Sequence, residues 1–210
     1  IRSIEVQKKK LEVQVVERTK EIKNQKDIIE QKNEHILSSI RYGERIQNAI
    51  LPLTEKIRSS LPEHFIFYKP RDIVSGDFYW FNKTNGKTVL AVVDCTGHGV
   101  PGAFMSMLGN AFLNDIIVEQ KILNPALILK HLHKEVRFAL KQEQETINLR
   151  DGMDVCLCVL EKNSHNYKLE FAGAKRPLYI NKKGETELIE IKGDRISIGG
   201  RQREEERTFT

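Results

Sequence analysis

The stretch Lys87–Gln120, KTVLAVVDCTGHGVPGAFMSMLGNAFLNDIIVEQ, decides the architecture. Its first eight residues, KTVLAVVD, read as a buried strand ending at Asp94. CTGHGVPG is a loop carrying three glycines. AFMSMLGNAFLNDIIVEQ is apolar on much of its surface and reads as a buried helix. A strand that delivers an aspartate into a glycine-rich loop is where chemistry is to be sought.

Upstream of this stretch the period is 2. HFIFYKP (His64–Pro70) and DFYWFN (Asp77–Asn82) are aromatic-rich and read as strands. Asn85-Gly86 reads as a type I′ hairpin turn. Downstream, Asn124-Pro125 restarts the chain and residues 125–142 form an amphipathic helix. GMDVCLCVLE, YKLEFAGA, RPLYINK and ETELIEIK follow as antiparallel strands, with turns near Asn163–Asn166 and at Lys183-Gly184. The order is strands, two helices, strands. That predicts an α+β layered sandwich, an antiparallel sheet with a helical pair on one face, and it excludes an alternating βαβ fold.

The first glycine is Gly43 and the first proline Pro52. Before them lies an unbroken stretch rich in Glu, Lys, Gln and Ile. At heptad spacing one row is Ile1, Lys8, Val15, Ile22, Ile29, Ile36, and the other is Ile4, Leu11, Arg18, Gln25, Lys32, Ser39. This is a mediocre coiled-coil seam, best satisfied by a parallel homodimer; a solvated linker helix is the alternative. The pattern stays helical through Leu51, Pro52 can start a further helical segment to about Leu61, and Pro62 breaks it. The organisation expected is therefore a coiled-coil linker helix at 1–42, a regulatory helical segment at 43–62 and a globular domain at 63–210. The chain has 210 residues, begins at Ile1 and stops within a strand-like stretch, so a C-terminally truncated piece of a larger protein is expected.

Composition narrows the function. Charged residues make up 30% of the chain, yet the formal net charge is only +5, and signs alternate along the helix, which argues against nucleic acid as a partner. No apolar run approaches the ~20 residues of a membrane span. Three cysteines, Cys95, Cys156 and Cys158, without a framework spacing, point to a reduced, cytoplasmic protein.

Pairing across Asn85-Gly86 sets Asp77 opposite Asp94, at the end of the hairpin away from the turn. Two carboxylates that close repel, and both stay ionised only beside a cation. Oxygen ligands without a His or Cys cluster favour a hard ion, Mg²⁺ or Mn²⁺. The glycines at 76, 97, 99 and 102 leave backbone exposed around the pair. The alternative is that each aspartate simply flanks a turn.

These residues also carry a resemblance. RIQNAILP (Arg45–Pro52), KPRDIVSGDFYWF (Lys69–Phe81), VVDCTGHGVPGAFMSMLG (Val92–Gly109) and FAGAKRPLYI (Phe171–Ile180) occur in the order found in bacterial PPM-type metal-dependent serine/threonine protein phosphatases of the SpoIIE/RsbU-like branch. The resemblance covers about residues 37–210. It implies a β-sandwich flanked by helical pairs and two Mg²⁺ or Mn²⁺ ions that activate a water, with no protein nucleophile. It assigns Asp77 and Asp94 as metal ligands, with the backbone carbonyl of Cys95 beside them. It further implies a phosphoserine or phosphothreonine protein substrate, commonly a STAS-type anti-sigma-factor antagonist. An upstream sensor domain and control through the N-terminal helix are implied too. The family's later acidic ligands are expected beyond Thr210, so the chain by itself is expected to be inactive.

The remaining candidates each have a bland alternative. Many relatives have a Gly-His pair where this chain has Gly173-Ala174, and AGAKRP leaves Lys175 and Arg176 there instead; they contact phosphate or form a solvated turn. His98 is a general acid or a loop residue held by hydrogen bonds. Asp154 approaches the site or, like Asp151, flanks a turn. His131 and His133 lie on different faces of a helix. Cys156, Cys158, Met105, Met107 and the Phe78–Phe81 cluster read as core. A non-catalytic dimerising module, a pseudophosphatase, is the competing function.

Overall fold

Asn85 and Gly86 both take positive φ, 50° and 76°, the backbone of a type I′ turn. The turn joins β1 (Phe78–Thr84) to β2 (Lys87–Cys95). The register runs from Thr84↔Lys87 to Phe78↔Val93 without a bulge. β2 pairs along its whole length with β3 (Gly152–Lys162), which pairs in turn with β4 (Tyr167–Ala174). A short β7 (Ile198–Gly199) pairs with Gly152 and Met153 at the start of β3. All of these pairings are antiparallel. β5 (Leu178–Asn181) and β6 (Leu188–Ile191) form a separate two-stranded sheet. This computed structural model describes residues 2–144, 150–163, 166–182, 184, 186–200 and 209.

Alternation along the strands sends Val89, Ala91, Val93, Val155, Leu157 and Val159 to one face, where all are buried. Two helices cover that face. α3 (Gly99–Asn114) contributes Met105 and Leu113, and continues into a π-helical turn, Asp115–Glu119, that buries Ile116 and Ile117. α4 (Pro125–Ala139) contributes Ile128, Leu129, Leu132 and Val136 at helical spacing. Pro125 occupies the first turn of α4, and Asn124 caps it by accepting the Leu127 amide at 3.0 Å. Trp80 reaches from β1 to α3, its indole N–H donating to Asn114 Oδ1 at 3.1 Å.

Residues 1–43 and 44–210 are separate compact units, and the boundary falls inside α1 (Arg2–Ile50). In the first unit Ile4, Leu11, Val15, Ile22, Ile29 and Ile36 are all exposed. In the second unit the last turns of α1 bury Gln47, and α2 is short, Thr54–Arg58.

Three expectations are corrected. HFIFYKP forms no strand: residues 64–70 are irregular, and Phe65 and Phe67 are 91% and 85% exposed. GVPG belongs to α3 rather than to the preceding loop, because Gly99 starts the helix and His98 before it is extended. Met107 lies on the solvent side of α3 at 37% exposure, whereas Met105 is core.

The core supports one stability prediction. Leu157 is fully buried at the centre of β3, so Leu157→Ala should lower unfolding free energy by about 2–5 kcal/mol. Denaturant unfolding of the purified chain measures this. A cost within error of zero would mean that the sheet and helices do not pack as described.

Candidate metal centre

Asp77 is the residue just before β1, and Asp94 is the next-to-last residue of β2. The Phe78↔Val93 pair therefore puts Asp77 across from Asp94. On the other side of β2, Asp94 pairs with Asp154 of β3. Three carboxylates thus lie in one row on neighbouring strands.

The charges register in the chemistry of the row. Burial pushes the Asp77 carboxyl above the usual carboxylate range; the Asp94 charge and a hydrogen bond with Asp94 add to this, and Arg176 opposes it. Arg176 Nη2 bonds Asp94 Oδ2 and lies 3.9 Å from Asp154 Oδ2. Asp154 Oδ1 accepts the Ser197 hydroxyl at 2.6 Å. The Cys95 thiol is pushed up by burial, and further by Asp94, Asp77 and Asp154. Its side chain is buried in the core, so the row presents oxygen atoms to a cation. That donor set suits Mg²⁺ or Mn²⁺. Among the described residues, no group of three or more His, Cys, Asp or Glu gathers closely enough to hold a metal ion. Asp77 and Asp94 face each other at the end of the hairpin.

Backbone packing holds the pair together. A Cβ on Gly76 would lie 2.6 Å from the Gly97 carbonyl oxygen and 3.2 Å from that of Cys95. A Cβ on Gly102 would lie 2.7 Å from the Gly97 oxygen and 2.9 Å from Gly76 Cα. Only glycine permits this approach, which seats the loop before Asp77 against the loop after Asp94. Gln47, buried in the last turn of α1, clamps the same segment. Its Nε2 donates to the Ser75 carbonyl at 2.6 Å and to Ser106 Oγ at 2.7 Å, and its Oε1 accepts the Ser75 amide at 2.9 Å. Ser75 Oγ in turn accepts the Asp77 amide at 3.0 Å.

The other candidates fall as follows. His98 Nδ1 pairs with Asp72 Oδ2 at 2.8 Å, on the surface just before α3. Lys175 is exposed and takes a positive φ of 56°. The Asp151 carbonyl accepts from Gln142 at 2.6 Å. His133 is buried with its Nδ1 accepting the Gly199 amide at 3.0 Å, which ties α4 to β7. Cys158 is buried and Cys156 half-buried. Phe78, Trp80 and Phe81 are core, while Tyr79 turns outward and meets Tyr68 edge-on at 5.7 Å. A groove of about 800 Å³ runs past these tyrosines and along Val92 to Asp77, Asp94 and Arg176.

Sequence reasoning missed four partners: Gln47, Asp72, Ser197 and the bond from Arg176 to Asp94. Gln47 and Asp72 stand inside quoted motifs. Arg176 and Asp94 are 82 residues apart and share no spacing signal.

Residues 84–209 match the family Stage II sporulation protein E (SpoIIE). The fold is similar to the SiaA-PP2C domain of Pseudomonas aeruginosa, with a TM-score of 0.67 and 35% identity; the match covers 85% of this chain and 66% of that one. No curated protein matches the chain. The architecture is a PPM-type, PP2C-like α+β fold, and the chain belongs to the SpoIIE family.

Gln47→Ala would leave both backbone groups of Ser75, a residue only 5% exposed, without their partner. The expected cost is about 2–4 kcal/mol, with faster hydrogen exchange at the Ser75 and Asp77 amides. Unchanged exchange at those amides would show that the clamp does not hold the loop.

Proposed function

We propose that the protein carrying this chain is a metal-dependent protein serine/threonine phosphatase acting on a phosphorylated signalling partner, of which a STAS-type antagonist is the expected kind. The observation that carries this is Asp77 facing Asp94 in a chain of the SpoIIE family. Asp77, Asp94 and the Cys95 carbonyl would hold Mn²⁺ or Mg²⁺. Such ions, when bound, lower the pKa of water and offset charge on the phosphoryl oxygens during in-line attack.

The chain's own residues do the rest. Gln47 and Ser75 hold Asp77 in place, and the Gly76–Gly97–Gly102 packing keeps the two aspartates at one separation. His98, with Nδ1 engaged by Asp72, keeps Nε2 for a proton to the departing alkoxide. Lys175 and Arg176, at the rim of the row, contact the phosphoryl group. The exposed heptad row forms a parallel homodimer, and an upstream sensor reaches the site through α1 and its Gln47. A second reading, a non-catalytic dimerising module, draws support from Arg176 already neutralising Asp94.

Two experiments test the proposal. Phosphate release from a phosphoserine protein with Mn²⁺ should fall roughly 100-fold or more in Asp77→Asn and Asp94→Asn, with circular dichroism unchanged. Release that is unaffected by either change removes the assigned site, and release at background in the unsubstituted full-length protein, as distinct from this chain alone, selects the non-catalytic module. Separately, sedimentation should show a dimer that Ile22→Asp with Ile29→Asp converts to monomer; a dimer that survives both changes places the interface elsewhere.

A further inference from the structure

We infer that Cys156 and Cys158 form a peroxide-reactive dithiol site: Cys156 is oxidised first, from the groove, and Cys158 then closes on it to give a disulfide within β3. The ligand class is a small hydroperoxide, hydrogen peroxide being the simplest. The inference goes beyond the phosphatase reading and does not depend on it, since neither cysteine is assigned to the cation.

Strand geometry puts the two side chains together. Residues two apart on a strand share a face, and Leu157 between them is fully buried on the core face. Cys156 and Cys158 therefore both lie on the other face of β3, a strand flanked by β2 and β4. Their sulfurs are in contact, with the Cys158 thiol donating to Cys156 Sγ. Their access differs. Cys156 is half-buried and lines the groove that runs to Asp94 and Arg176, whereas Cys158 is 2% exposed. The third cysteine, Cys95, is on β2 and belongs to the core with Val93 and Ala91, on the opposite side of the sheet. The sheet thus isolates one pair and leaves one cysteine out of it.

The difference in access assigns the roles. A peroxide in the groove meets Cys156 first. The Cys156 sulfur takes one oxygen as the O–O bond breaks, giving a sulfenic acid and one water. The Cys158 sulfur, already against it, displaces the hydroxyl as a second water and forms the S–S bond. Two thiols lose two hydrogens and two electrons, and the peroxide leaves as two waters. A strand rise of about 3.3 Å per residue sets the two Cα atoms about 6.6 Å apart. That is the wide end of the roughly 4.4–6.8 Å that a disulfide spans. Closing the bond therefore pinches β3, and a strained bond is readily reduced again. The β3–β4 ladder ends at the Cys156↔Gly173 pair, so on that side Cys156 is held by the last rung alone. Asp154 is two residues away on the same face and pairs with Asp94, so the pinch falls beside the carboxylate row.

Hydrogen peroxide treatment of the full folded chain, followed by alkylation in denaturant and tryptic mass spectrometry, tests this. Cleavage after Arg150 and Lys162 releases Asp151–Lys162, which carries both cysteines of the pair. Cleavage after Lys87 and Lys121 releases Thr88–Lys121, which carries Cys95. The first peptide should become two hydrogens lighter and refuse iodoacetamide until dithiothreitol is added. At the same peroxide level Cys95 should still take iodoacetamide. With dimedone present during a short exposure, the adduct should fall on Cys156, and Cys158→Ser should raise its yield roughly tenfold because no thiol is left to resolve the sulfenic acid. If Cys158→Ser does not fold, the adduct position in the unsubstituted chain decides the order. An Asp151–Lys162 peptide that keeps both thiols while Cys95 is oxidised overturns the proposal. Oxygen added to each sulfur without a bridge overturns it too, as does a dimedone adduct on Cys158 in place of Cys156. None of these results bears on phosphate release, so failure here leaves the phosphatase reading where it stands.

Discussion

Asp77 and Asp94 are like charges forced to face each other by a hairpin that has no freedom to separate them. Seven consecutive pairs, from Thr84↔Lys87 to Phe78↔Val93, transmit the geometry of a two-residue turn to the opposite end of the sheet. Slipping by one residue would turn Phe78 and Trp80 out of the core and bring Tyr79 in. The apolar face thus opposes the electrostatic repulsion, and it does so with buried aromatic area that the carboxylates cannot match. The remainder of the site consists of ways to live with that imposed proximity: a raised Asp77 carboxyl, a shared arginine, and a serine hydroxyl on Asp154.

Two kinds of contact keep the imposed geometry sharp. The first is steric. Gly76 and Gly102 let three backbone segments touch where a side chain on either would separate them, and Gly97 between them takes a φ of 88°, so the loop before β1, the loop after β2 and the first turn of α3 pack backbone to backbone. The second is polar. Gln47 reads both backbone groups of Ser75 and reaches Ser106 of α3. A buried amide that makes three bonds is costly to half-satisfy. The end of α1 is therefore either docked with all three bonds or released from them, with little stable ground between.

The β1–β2 hairpin and the helix order were legible in the sequence because each has a local cause, whereas the pairing of β2 with β3, across two helices, has none. Asn-Gly demands positive φ, and an Asp ending an apolar run beside glycines announces a strand end. HFIFYKP was misread for a physical reason: alternation describes which faces a chain would present, and it says nothing about whether a partner strand exists to pair with. Met107 was misread because α3 is so apolar overall that its exposed side is not marked by charge. The site was legible only in its sequence-local parts. Asp77 and Asp94 share a hairpin and could be paired by counting. Arg176 reaches Asp94 through β3, β4 and a turn, and no periodicity in the chain encodes a contact that depends on how three strands stack side by side.

The same distinction bears on the proposed link between the site and α1. Asp94 and Asp154 are set by the sheet, which is held by a core extending through two helices. Asp77 is set by a loop whose buried anchor, Ser75, is held by Gln47 from a different element. Asp94 is thus set by the sheet alone, whereas the loop before Asp77 depends in addition on the docking of one helical turn. If the proposed control through α1 holds, a shift at its end bears first on the Ser75 anchor before Asp77, and the backbone contact of Gly76 with the Gly97 and Cys95 carbonyls passes it to the loop after Asp94. The hairpin keeps the two aspartates facing, so what such a shift changes is the backbone around the pair rather than its register.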